Sequence, residues 1–317
     1  MKAKLILKAG APRDVWAHVR NTGIGGSDAG VILGVNPWKT PFQLWQEKTG
    51  AAAAEDLSEN EAVYWGTVLE PLVAKRFEEE TGKKVHRRGT LQDPAHPFML
   101  ANVDRWVKGE NAGLEIKTAN AFAASDWEDE EVPPSYIAQC THYMAVTGAE
   151  KWYIAVLLGG QKFVWKEIPR IEDNISYLRE QEAAFWKHVM DRTPPEIAIN
   201  GSEACREALM AKFSKGRPQE CPLPESAALL FQKYDDALAA KKAADTAMQA
   251  VKNEFMNLLG PYELGRIGDR KVTWKAPKPR ESLTVGRLKA FSMDDYERLK
   301  ASGVVTETTP QRALRVY

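Results

Sequence analysis

An α/β fold with a mixed central β-sheet flanked by helices is what this 317-residue sequence predicts. Three observations carry it. Residues 61–81 repeat apolar side chains at helical spacing (Val63, Val68, Leu69, Leu72, Val73, Phe77) and run into Gly82. The period then shortens to that of strands over 84–88, 98–107 and 113–118, with turn residues between them. A helix over 134–147, a hairpin over 151–168 and a long helix over about 171–192 continue the alternation. Alternating helix and strand builds sheets covered by helices.

The other elements follow in chain order. Pro12 opens a short helix through Arg20. Residues 22–28 form a glycine-rich loop, and Ser27 or Asp28 can cap the helix that continues to Leu33. Pro41 opens another short helix, closed by Gly50, and 51–59 reads as a surface loop. Gly148 closes the helix over 134–147, and Gly159-Gly160 turns the hairpin. Pro194-Pro195 ends the compact part. This assigns 1–195 to one domain, 196–224 to a linker and 225–317 to an appendage. In the appendage, residues 225–259 are Ala- and Lys-rich with apolar residues spaced for one long helix. A hairpin about Gly268-Asp269 follows, then a basic, proline-containing tail with a short helix near 293–301. No internal repeat is present.

Composition narrows the function classes. Apolar residues make up 44% and charged residues 27%, ordinary for a soluble globular protein. Lys+Arg and Asp+Glu are both 43, so a polyanion would have to be bound by a local basic cleft rather than by global charge. Cys140, Cys205 and Cys221 form neither a zinc pattern nor a disulfide framework, which points to a reducing cytosol. The first apolar run is too short for a signal peptide, and none reaches the length of a membrane span.

The chemistry concentrates in Asp104 and, eleven positions on, Glu115-Ile116-Lys117. Alternation along a strand sends Glu115 and Lys117 to one face and Ile116 to the core. The intervening turn over 108–113 lets two adjacent strands bring both acids together. Phosphodiester hydrolysis needs an activated water and neutralised phosphate charge, and a divalent metal supplies both. Mg²⁺ prefers oxygen ligands and keeps several waters, so Asp104, Glu115 and the Ile116 carbonyl suffice to hold it. Lys117 can orient or deprotonate the water, or steady the phosphate. Glu70, on the helix over 61–81, can reach the same place as a third acid. Taken alone, Glu115 and Lys117 read equally well as a solvated pair on a strand edge, and Glu70 as a surface acid.

Five segments in order change that balance: Gly25-Gly-Ser-Asp-Ala29, Gly66-x-x-x-Glu70-Pro71, Ala101-Asn-Val-Asp104-Arg105, Leu114-Glu-Ile-Lys-Thr118 and Gln139-Cys-Thr-His-Tyr-Met-Ala-Val-Thr-Gly148. Over about 12–192 the chain resembles YqaJ-like phage recombinases. These belong with the lambda-type exonucleases in the restriction-endonuclease-like superfamily. The resemblance implies a restriction-endonuclease-like core and an ATP-independent, Mg²⁺-dependent (or Mn²⁺-dependent) enzyme. Such an enzyme digests one strand of duplex DNA from 5′ to 3′, leaving a 3′ tail for a single-strand annealing protein. It implies a phage or prophage protein in the cytoplasm of a bacterial host, without a membrane partner. It further implies a homo-oligomer, since lambda-type enzymes form a ring around the duplex. Asp104, Glu115 and the Ile116 carbonyl match the metal ligands, Lys117 the catalytic lysine, and Glu70 the acid beside the metal. Arg20 and Ser27 match the pair that grips the 5′-phosphate, and Gln139 the helix residue facing the site.

An Arg fork, a hydroxyl and free N–H groups at a helix start do make an anion site; the alternative is that Ser27 only caps and Arg20 only lies along the surface. Gln139 otherwise faces solvent, and His142 reads as a packed or surface histidine. The basic run Lys83, Lys84, Arg87, Arg88 reads as a backbone contact or as a charged, protected edge. Arg270 to Arg280 reads as a DNA contact or a solvated hairpin. Trp38 and Trp45 are read as core in preference to stacking at a DNA end. Two other functions fit the same residues: an endonuclease or nickase, and a non-catalytic DNA-binding protein.

Overall fold

The computed structural model describes residues 3–53, 59–129, 131–277 and 284–306. The expected loop 51–59, the end of the basic stretch 270–280 and the last part of the tail fall wholly or partly outside them. The chain divides into two compact units, Met1–Phe213 and Ser214–Tyr317.

The first unit carries two sheets and seven α-helices among the described residues. Its first half contains β1 (Lys4–Leu7), α1 (Arg13–Asn21), β2 (Ile24–Gly25), α2 (Gly26–Ile32), α3 (Pro41–Thr49) and α4 (Glu61–Thr81). Strands β3 (Val85–His86), β4 (Thr90–Gln92), β5 (Met99–Asn102), β6 (Arg105–Val107) and β7 (Ala112–Ala119) follow. Then come α5 (Pro134–Thr147), β8 (Lys151–Leu158), β9 (Lys162–Pro169), α6 (Glu172–Met190) and α7 (Glu203–Lys212). The larger sheet has the order β3-β6-β7-β8-β9. Only β7 and β8 are parallel in it, and α5 makes the crossover. The smaller sheet has the order β1-β4-β5-β2.

Helix boundaries follow local chemistry. Thr40 caps α3 by accepting from the Gln43 amide, and Gly50 leaves it in the left-handed conformation at φ 70°. Gly82 and Gly148 end α4 and α5 in the same way. The parallel pair β7–β8 is covered on both faces, as parallel strands require. Leu114 and Ile116 of β7, with Tyr153 and Ala155 of β8, pack on Val73, Ala74 and Phe77 of α4. On the other face, Trp152, Ile154 and Val156 pack on Cys140, Tyr143 and Met144 of α5. Alternation therefore sends Glu115 and Lys117 toward α5.

Four expectations change. The apolar positions Val63, Val68 and Leu72 of α4 are exposed; only the second half of the helix buries its stripe. The segment 98–107 is two strands in different sheets, β5 and β6, not one. The stretch expected as a linker contains α7, capped by Ser202 and packed through Cys205 and Ala208 on Phe42 and Ile197. Trp45 packs beside Phe42 and donates to the His188 carbonyl at 3.1 Å, whereas Trp38 is 75% exposed.

The second unit holds the long helix α8 (Ala228–Leu259), a hairpin of β10 (Leu264–Ile267) and β11 (Arg270–Thr273), α9 (Val285–Phe291) and α10 (Met293–Ala301). The long helix, the hairpin and α10 lie where the sequence places them; α9 was not expected.

Candidate active site

The hairpin register builds the acidic site. Arg105 pairs with Leu114 and Trp106 with Gly113, so the same register sets Asp104 opposite Glu115, where the ladder ends. At that point the Asp104 side chain replaces the next backbone acceptor: its Oδ2 takes the Ile116 amide at 2.9 Å. The backbone ladder between β6 and β7 accordingly covers only Arg105 and Trp106. A carboxylate thus stands at the end of the ladder, in the wall of a surface cavity.

Glu115 and Lys117 share the face toward α5. Lys117 Nζ lies 2.6 Å from Glu115 Oε1 and donates to Gln139 Oε1 at 3.0 Å. Gln139 Nε2 donates to Glu115 Oε1 at 2.6 Å and to the Tyr143 hydroxyl at 2.9 Å. Gln139 is thus buried and in the site, not solvated on the helix surface. Tyr136 lies 4.9 Å from the Lys117 ammonium, ring face toward it.

The electrostatics are those of concentrated negative charge. Loss of hydration first, and the Glu115 charge second, push the Asp104 carboxyl well above the usual carboxylate range; Glu70 adds to the effect. The buried Tyr143 hydroxyl and Cys140 thiol are pushed up by desolvation and then by the same acids. Desolvation works against the charged form of Lys117, but Glu115 and Asp104 outweigh it and raise its pKa. Lys117 is therefore an ammonium.

The other acid oxygen of Glu115, Oε2, is buried and has no hydrogen-bond partner. An orphaned carboxylate oxygen beside a second desolvated carboxylate fits a hard cation with oxygen ligands. Among the described residues no group of three or more His, Cys, Asp or Glu side chains is gathered as a metal set. The side-chain donors are thus two carboxylates. Glu70 is close enough to raise the Asp104 pKa, but it accepts from Arg105 Nη1 at 2.5 Å and lies 3.9 Å from Arg87.

Arg20 and Ser27 are brought together as expected: Arg20 Nη2 donates to Ser27 Oγ at 2.9 Å. Neither Ser27 nor Asp28 is the cap of α2. Gly25 holds that position, and Asp28 reaches back to accept its amide at 3.0 Å. Ser27 is thereby left free for Arg20. Asp28 also meets Lys48 at 2.8 Å and Arg20 at 3.8 Å, and the combined cations lower its pKa despite burial. Lys48 in turn donates to the Gly23 carbonyl at 2.7 Å. Gly26 joins this cradle to the acidic site, because a Cβ there would stand 2.5 Å from the Tyr143 ring.

His142 is a packed histidine. Its Nδ1 lies 2.7 Å from Glu182 and its Nε2 donates to the Leu100 carbonyl at 2.9 Å, tying α5 to α6 and β5. The roles of Lys48 and Arg105 were not visible in the sequence. Each acts through an ion pair with an acid 20 or 35 positions away, a separation that leaves no periodic signal.

The profile of the YqaJ-like viral recombinase domain matches residues 15–150. The uncharacterized protein YqaJ of Bacillus subtilis (strain 168) is 41% identical over 295 residues, covering 91% of both chains. The alkaline exonuclease LHK-Exo of Laribacter hongkongensis shares the fold, with a TM-score of 0.51 at 20% identity over 57% of this chain and 94% of its own. The structure of LHK-Exo in complex with dAMP matches at the same TM-score and 21% identity, covering 63% of this chain and 98% of its own. The mixed α/β architecture is thus one found in an alkaline exonuclease, and the chain belongs to the YqaJ-like viral recombinase family.

Proposed function

We propose that this protein is a metal-dependent, ATP-independent 5′ to 3′ exonuclease that acts at the ends of duplex DNA. The observation that carries the reading is the pair of facing carboxylates, Asp104 and Glu115, with Lys117 and Gln139 locked between them and α5. Asp104, Glu115 and the Ile116 carbonyl would hold Mg²⁺ or Mn²⁺, with Glu70 as a further ligand once it leaves Arg105. Bound there, the ion would polarise the phosphate and lower the pKa of a water.

The chain's own groups set the rest. Lys117, held as an ammonium, donates to the attacking water or to a phosphate oxygen. Gln139 fixes Lys117 and Glu115 relative to each other, and Tyr143 fixes Gln139. Arg20 and Ser27 supply a guanidinium and a hydroxyl to the terminal 5′-phosphate, with Asp28 and Lys48 holding the cradle in shape. An end-recognising cradle linked through Gly26 and Tyr143 to a hydrolytic centre favours exonuclease over endonuclease. On this reading the product is a 3′ single-stranded tail, the partner a single-strand annealing protein, and the working form a homo-oligomer.

The test is digestion of end-labelled linear duplex with and without 5′-phosphate, beside closed circular plasmid, with and without chelator. Metal-dependent loss of 5′-labelled nucleotides from linear DNA is expected. Equal cutting of closed circles would overturn the exonuclease assignment, and activity in chelator would overturn the metal.

A further inference from the structure

The basic run after α4 separates into two halves in the structure. Lys83 meets Glu110 at 2.5 Å, and Lys84 meets Glu78 at 3.1 Å. These two lysines are neutralised at the edge of the large sheet. Arg87 and Arg88 turn the other way, into a cavity of about 250 Å³ whose wall includes Asp104, Glu70 and Trp16.

Arg88 is an unusual cation in that cavity. Its guanidinium lies 4.3 Å over the ring of Trp106, in the strand directly after Asp104. His86 pairs with Trp106 where β3 ends, and the chain leaving the strand brings Arg88, two residues on, back over that ring. Among the described residues no acid pairs with Arg88, and desolvation is the sole cause acting on its pKa, lowering it. A half-buried guanidinium, stacked and aimed by an indole but without an acid, has unused donors. Arg87 has only a 3.9 Å approach to Glu70, which Arg105 already holds at 2.5 Å. At the far wall, Trp16 carries Arg20 at 5.3 Å above its ring. The cavity thus has Trp16, the ring beneath Arg20, in its wall together with Asp104 and Glu70.

We propose that Arg88, with Arg87, binds the phosphodiester backbone of the DNA strand lying in this cavity. The inference rests on the nuclease reading above and adds two strand-binding residues to it. The Arg88 fork, held flat on Trp106, presents paired N–H donors to phosphate oxygens. It offsets the repulsion between that phosphate and the Asp104, Glu115 and Glu70 carboxylates.

The test uses the full chain and fluorescence anisotropy of a labelled, 5′-phosphorylated duplex in chelator, so that no strand is cut. Removing one cation that neutralises a phosphate makes the plot of log affinity against log salt shallower by about 0.9. Arg88→Gln and Arg87→Gln are each expected to flatten the slope by about that amount, and Lys84→Gln is expected to leave it unchanged. If melting shows that Arg88→Gln has not folded, the highly exposed Arg87 decides the question alone. An unchanged slope in both arginine variants, or an equal flattening in Lys84→Gln, overturns the proposal and leaves the nuclease reading standing. A wild-type chain that shows no salt-dependent duplex binding removes both.

Discussion

Asp28 and Asp104 stand in two desolvated corners of one unit, in opposite company. Asp28 is ringed by Lys48, Arg20 and the Gly25 amide, and its pKa falls. Asp104 faces Glu115 and Glu70 with one lysine among them, and its pKa rises. The first acid is satisfied by the fold and holds a shape. The second is not, and the buried, unpartnered Glu115 Oε2 beside it shows the same deficit of positive charge. Burial alone does not decide which way an acid's pKa moves; the sign of the nearest charges does.

The contrast can be broken most severely at Lys117. Lys117→Ala is expected to reduce hydrolysis of linear duplex by about 10²–10⁴-fold, the span of a positioned proton donor. Binding of the same duplex by anisotropy should persist, and normal turnover would remove Lys117 from the chemistry. Asp28→Ala attacks the satisfied corner. It leaves Lys48 buried without its acid, so the expected loss is about 3–5 kcal/mol of stability in a guanidinium melt. A variant as stable as wild type would show that Asp28 does not hold the cradle. Arg20→Ala should slow digestion about tenfold on 5′-phosphorylated ends, the worth of one charge-assisted hydrogen bond, and leave unphosphorylated ends unchanged. Equal slowing on both ends would move the phosphate site elsewhere.

The smallest effect is the most discriminating. Asp104→Asn removes an unfavourable charge, so in chelator it should gain about 1 kcal/mol of stability at neutral pH while losing activity. The two acids also predict opposite pH slopes. Asp28, with its folded pKa below the ordinary 3.8, stabilises the fold above that value, and this is lost as pH falls through the folded pKa. Asp104, with its folded pKa above 3.8, destabilises the metal-free fold progressively as pH rises from 3.8 through the folded pKa. The gain from Asp104→Asn should therefore vanish below about pH 4. Melts of both proteins in chelator from about pH 3 to about pH 8 check the sign.

What was legible in the sequence was local. Strand alternation placed Glu115 and Lys117 on one face and Ile116 on the other, and Gly50, Gly82 and Gly148 closed the helices they were expected to close. Gln139 was ambiguous, since its burial depends on α5 lying over β7 rather than on the amphipathic pattern of the helix. The break at Asp104 was hidden because 98–107 contains no Gly or Pro to mark it; only the Ile116 amide, supplied by another strand, reveals it. The helix α7 was missed because its buried face is made of Ala204, Cys205 and Ala208, side chains too small to give a strong period. The exposure of Val63, Val68 and Leu72 shows the reverse error, a stripe that no other described element of its unit covers.

The approach of Gly26 to the Tyr143 ring has a last consequence. It lets the backbone of α2 rest directly on the aromatic ring that steadies Gln139, with no side chain between them. The spacing between the Arg20–Ser27 pair and the Asp104–Glu115 acids is thus set where backbone meets ring. A side chain at position 26 would force the Tyr143 ring or the α2 backbone to shift, so this glycine acts as a gauge between the two groups.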